Sequence, residues 1–247
     1  MVRSKHHILV RVLVVFLLSR FPVMAGPPFI TDDPQPVDYL HWELYFSSAQ
    51  FFGSGEISAT LPHIEINYGA LPDVQLHLIL PMGFVNSDGI STYGFSNTEF
   101  GIKYRFIEET NGWPQIGTFP LIEIPTASNE QNLGSGQTQI FLPLWMQKSW
   151  GSLTTYGGGG FWYNPGEGNK NYFFIGCEIQ NDFSKKVTLG GELFFHTATT
   201  EDEKSDAGCN LGGIINFDET NHLLFSFGHN FIGTGMFTGY IGYQLTI

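Results

Sequence analysis

The chain has 247 residues, among them 11 Lys or Arg against 23 Asp or Glu, with 30 Gly and two Cys. So few cations exclude a nucleic-acid partner, because phosphate binding draws on Lys and Arg. Charged residues make up 14% and aromatic ones 15%, where a soluble domain carries about 25% charged, so much of the surface must face something other than water.

Residues 1–25 have a basic start (Arg3, Lys5), an apolar run from Ile8 to Leu18 broken by Arg11, and the small-residue ending Val23-Met24-Ala25. This is a signal-peptide pattern, cleaved near Ala25. Its loss leaves seven basic against 23 acidic residues, a balance of −16. No later apolar run approaches the ~20 residues of a membrane helix, which leaves the closed barrel as the way to span a bilayer. The segment 26–37, GPPFITDDPQPV, has four prolines and no periodicity. It predicts an extended leader, and composition favours a flexible periplasmic tail over a short plug in a lumen.

From 38 to 247 the chain reads as one all-β barrel domain of about twelve strands, built from segments of alternating hydrophobicity. They run near 39–51, 56–68, 73–82, 99–106, 115–124, 137–148, 153–164, 171–182, 187–196, 209–218, 222–229 and 236–247. The third is the clearest: Val74, Leu76, Leu78, Leu80 and Met82 alternate with residues that include Asp73, Gln75 and His77. Short spacers (69–72, 149–152, 184–186, 218–221) follow even-numbered segments, and longer ones (127–136, 200–207, 230–235) follow odd-numbered ones. Short periplasmic turns and longer extracellular loops are the asymmetry of a transmembrane β-barrel. The last segment, Tyr240–Ile247, predicts a closing strand that abolishes the sheet edge, and its spacing resembles the C-terminal signal of bacterial outer-membrane barrels, which implies the barrel-assembly machinery as a partner. A soluble β-sandwich also alternates, but it would carry more Lys and Glu on its solvent face than the Gly, Ser, Gln and Asn found here.

Several stretches resemble the MetA-pathway of phenol degradation family of outer-membrane transporter-like proteins. They are GPPFITDDPQPVDYLHWELY (26–45), EINYGALPDVQLHLILP (65–81), FGIKYRF (100–106), PQIGTFPLIEIPT (114–126), LPLWMQKSWG (142–151) and TTYGGGGFWYNPG (154–166). The resemblance implies an outer-membrane barrel related to channels for hydrophobic or aromatic compounds.

The reading is therefore a monomeric outer-membrane channel for passive uptake of small solutes, in contact with lipid and without cofactor or metal. The alternatives are a barrel hydrolase and a structural or adhesive barrel. Against an enzyme, the chain has no G-x-S-x-G elbow, and no His, Cys or carboxylate pair has metal-ligand spacing. The run Gly157–Gly160 lacks the Lys and helix of a phosphate loop, so it predicts close packing or a bend in a strand.

Three expectations concern side chains. A charge facing lipid at mid-membrane costs about 2–4 kcal/mol, so Glu43, Glu65, Glu99, Lys103, Arg105, Glu123, Glu178 and Glu192 should point into the lumen, with Lys103 and Arg105 as the hub of ion pairs. Pro62, Pro81, Pro120 and Pro143 fall inside segments two, three, five and six, where proline cannot donate to the ladder. They mark bulges, or lateral seams between strands two and three and between five and six. Cys177 and Cys209 should both face lipid with segment nine between them, about 9–10 Å apart, beyond the ~7 Å that a disulfide allows.

Overall fold

The computed structural model describes residues 27–53, 55–87, 89–127 and 133–247. The signal-peptide segment 1–25 lies outside the described residues.

Alternating sequences form strands throughout: β1 (Trp42–Phe52), β2 (Glu56–Leu71), β3 (Val74–Ser87), β4 (Ile90–Phe95), β5 (Thr98–Ile107), β6 (Gln115–Thr118), β7 (Leu121–Ile124), β8 (Gln139–Trp150), β9 (Leu153–Tyr163), β10 (Tyr172–Ser184), β11 (Val187–His196), β12 (Asp206–Asn216), β13 (Asn221–Ile232) and β14 (Phe237–Thr246). Both β4 and β5 pair with β3, while β6 and β7 both lie between β5 and β8. Each couple is thus one stave broken midway, at Ser96-Asn97 and at Phe119-Pro120. Among the described residues the antiparallel sheet has twelve staves, the number expected, and each expected segment has its stave.

The sheet closes where the sequence predicts it. β14 pairs with β1 from Glu43↔Thr246 to Phe52↔Phe237. Ile247 completes the ladder, its N–H donating to Trp42 O at 2.9 Å while Trp42 N–H donates to Ile247 O at 2.6 Å. The seam between the first and last strands is thus paired along its length, so neither offers an edge there to another chain.

The expected loop asymmetry holds in part. Tight connections join β2 to β3, β8 to β9 and β10 to β11, yet at the opposite, loop end β1 runs to Phe52 with β2 starting at Glu56, and β3 to Ser87 with β4 starting at Ile90. There β1 to β4 run on as long hairpins, so the strands extend where a loop was expected. The four-glycine run lies within β9 as close packing: a Cβ on Gly158 would fall 2.1 Å from Leu144 O, and one on Gly159 2.2 Å from Phe174 O.

The outward rows are apolar and open: Leu142, Leu144 and Met146 are 57, 54 and 48% exposed, whereas Phe141 and Trp145 on the alternate row are 5 and 1% exposed. The barrel therefore has a lumenal core. Phe119, Phe141, Trp145, Phe174 and Phe194 fill part of it, with Leu121 and Trp162 packed against them. Below this cluster the lumen holds the leader. Thr31 and Asp33 are both 0% exposed, and Pro27 and Asp38 border the same cavity at the turn end, so the leader dips inward and doubles back. The flexible-tail expectation is thereby corrected. Composition could not reveal that Asp32 and Asp33 have a buried cation waiting for them.

Candidate solute pathway

All eight expected lumenal residues lie on inward rows, but their partners come from outside the set. On β5, alternation turns Lys103 inward between exposed Ile102 and Tyr104. Its Nζ lies 2.8 Å from Asp32 Oδ1 and 3.4 Å from Asp33 Oδ2 of the leader, and 4.9 Å from the centre of the Phe119 ring. Two residues on, Arg105 donates from Nε to Asp73 Oδ1 at 2.8 Å, from Nη2 to the same atom at 2.5 Å, and from Nη1 to Gln35 Oε1 at 2.8 Å and Gln115 Oε1 at 3.2 Å. Asp73 itself sits at φ 63° in the β2–β3 turn. One guanidinium thus joins a turn, the leader and the neighbouring stave.

The acids are dispersed around the wall. Glu192 on β11 accepts the Ile30 N–H at 2.9 Å, the Thr31 N–H at 2.7 Å and Asn210 Nδ2 at 2.5 Å. It therefore satisfies leader backbone groups that burial would otherwise orphan. Glu65 and Glu99 flank His77 at 3.6 and 3.1 Å. Glu43 accepts the Tyr45 hydroxyl at 2.7 Å, and Glu123 accepts Asn97 Nδ2 at 2.5 Å near the loop end. Glu178 on β10 is buried, and neither of its carboxylate oxygens has a hydrogen-bond partner among the described residues. The hub predicted at Lys103 and Arg105 exists, but it pairs with Asp32, Asp33 and Asp73, which reach the cations across the lumen and from the turn.

A small polar cavity of about 120 Å³ lies between the leader and β1–β3, lined by Asp32, Glu43, Glu65, Lys103 and others. Toward the loop end the inward rings stack. Phe141 and Trp162 lie 4.8 Å apart at 10°, Trp162 and Tyr172 5.8 Å apart at 14°, and His196 follows at 5.9 Å from Tyr172. The sequence reading missed this ladder because both rows of β8 are apolar, so alternation could not say which one faced in.

Both proline pairs accompany interrupted ladders. At Pro62 the β2–β3 register shifts between Thr60 and His63, with Pro81 opposite His63. At Pro120 the wall pairs at Gly117↔Trp145 and again at Leu121↔Phe141, and the residues between are not paired across this seam. There Thr118 Oγ1 donates to Pro143 O at 2.6 Å. Beside this second gap an apolar hollow of about 630 Å³ is lined by the outward Phe100, Ile102, Ile122 and Ile140 and by Pro120 and Gly101.

No family model and no curated protein matches the chain. Solved structures do. The COG4313 outer membrane channel from Pseudomonas putida F1 superposes with a TM-score of 0.68 at 14% identity, over 91% of this chain and 100% of that one. The KdgM porin in complex with disordered oligogalacturonate gives 0.58 at 12% identity over 82% and 98%, and the NanC porin 0.58 at 8% over 82% and 98%. The fold is that of an outer-membrane β-barrel. At these identities the likeness speaks for architecture, and the phenol-degradation resemblance rests on the residues quoted above.

Proposed function

We propose that the chain is a passive outer-membrane channel, acting as a monomer, whose bore is occupied by its own leader and which admits small apolar or aromatic solutes. The observation that carries the reading is the leader itself. A closed barrel is filled by a loop of backbone that is held by wall side chains, Lys103, Arg105 and Glu192, and not by strand pairing. The ring ladder from Phe141 to His196 offers flat surfaces for a ring-shaped solute at the loop end. The likeness to porins and an outer membrane channel supports the same reading.

Planar bilayers test it. The full chain should show small, intermittent conductance, and a variant lacking residues 27–37 a larger, steady one. Equal conductance from both would overturn the role of the leader. Ester or lipid hydrolysis by the purified chain would instead favour an enzyme. Growth of a deletion strain on a panel of aromatic and aliphatic compounds would identify the solute.

The same reading gives the Pro120 gap a use: an apolar solute leaves sideways there, into the hollow on the membrane face. By register Thr118 faces Leu144 across the gap, so a Thr118→Cys/Leu144→Cys disulfide would bolt it, neighbouring strands lying within bridging distance. Uptake of apolar compounds should fall on oxidation and recover on reduction; equal uptake in both states would sink the lateral route.

A further inference from the structure

One inward row crosses five strands at mid-height. Gln147, Tyr156, Glu178, Glu192 and Asn210 each stand directly opposite the next, from β8 to β12. All five are buried, and Glu178 is 3% exposed. Two carboxylates thus face each other on adjacent strands, an arrangement that repels unless something compensates it. Glu192 is compensated by two leader amides and Asn210. Glu178 is not: neither Oε1 nor Oε2 meets a donor among the described residues, and the charges acting on it, Glu192 and Asp33, are both negative.

The carboxylate is nonetheless seated. Its Oε1 lies 2.3 Å from where a Cβ of Gly190 would stand, so the lack of a side chain on β11 makes its berth. On the same inward row of β10, Gly176 makes room for Thr31 Oγ1, which would lie 2.1 Å from its Cβ. Thr31 Oγ1 and Gln147 Oε1 are also buried without partners among the described residues. The ammonium of Lys103, on β5, is already engaged by Asp32 and Asp33. At the leader's inner bend there is therefore a buried carboxyl that meets no donor among the described residues and feels only negative neighbours, an arrangement that costs heavily when the group is ionised unless a cation joins it.

We propose that Glu178 anchors a lumenal binding site for a monovalent cation, either an alkali ion or the ammonium group of a small amine, held between β10 and the leader. Glu192 is already held by N–H donors, so a single carboxylate is left to balance, and one positive charge suffices for it. The site does not depend on transport, and it is tested by binding alone.

Melting of the full chain in detergent, at constant ionic strength, would compare potassium, sodium and methylammonium chlorides with tetramethylammonium chloride, whose cation is too bulky for a packed lumen. A ligand that binds only the folded state raises the melting temperature with concentration. The expected result is a saturable upward shift with the small cations, lost in Glu178→Gln and kept in Glu201→Gln, an exposed loop control. A shift with alkali ions alone assigns an inorganic guest, and one with methylammonium alone assigns an amine. A shift that persists in Glu178→Gln overturns the proposal. Should that variant fail to fold, calorimetric titration of the unaltered chain decides: saturable heat with none of the small cations also overturns it.

Discussion

Lys103 is the side chain on which most depends, because it is buried and meets two carboxylates of a different segment. Removing one partner of a buried pair leaves its mate uncompensated, which costs about 3–5 kcal/mol. Lys103→Met should therefore lower the melting temperature markedly and expose the leader to protease. Arg105 is tied to Asp73 and Gln35, so Arg105→Gln should reduce heat resistance while leaving ion selectivity in bilayers unchanged. The cysteines are free, and Cys177 and Cys209 both stand directly opposite Leu193 of the intervening strand. Thiol counting on unfolded, unreduced protein should return two. Outside the barrel wall, side-chain and backbone donors of Asn221 and Thr220 hold the exposed Asp218 carboxylate down to about 2. Its support for the β12–β13 turn is present above the ordinary carboxylate range and is lost as pH falls toward 2, which amide exchange at Thr220 would follow.

At the scale of elements, the outward rows belong to the membrane. Leu144→Arg should cost about 2–4 kcal/mol by placing a charge in lipid, and heat-modifiability on electrophoresis would report it. Gly69 on β2 is fixed by a different constraint, the crossing of the leader. A Cβ there would fall 2.0 Å from Asp38 O, at the point where Leu40 N–H donates to Gly69 O and the chain turns through φ 65° into β1. Gly69→Ala should displace the leader's exit and cost about 1–3 kcal/mol, within the usual range for a strained backbone site.

At the scale of the molecule, closure through β1 and β14 makes the barrel cooperative, since the last strand completes the ladder of the first. Loss of residues 237–247 should prevent a heat-resistant barrel from forming at all, and an electrophoretic comparison with the full chain checks this. The interior divides into a ring-lined part and a polar part occupied by the leader. A ring-shaped solute entering at the loop end would meet stacked faces first and the leader afterwards.

The sequence alone determined the fold class, the twelve staves, the closing strand, the inward carboxylates and the free cysteines. Each of these follows from local alternation and from the spacing between segments, which a strand imposes wherever it crosses an interface. Tertiary structure decided the rest. Whether GPPFITDDPQPV is a tail or a plug depended on Lys103, Arg105 and Glu192, which lie about 70 to 160 residues away in sequence and come together only when the barrel closes. Which face of β8 is lumenal was undecidable while Phe141 and Leu142, or Trp145 and Met146, were equally apolar. Only curvature of the closed sheet separates them, since it puts one row against lipid and packs the other against rings from across the bore.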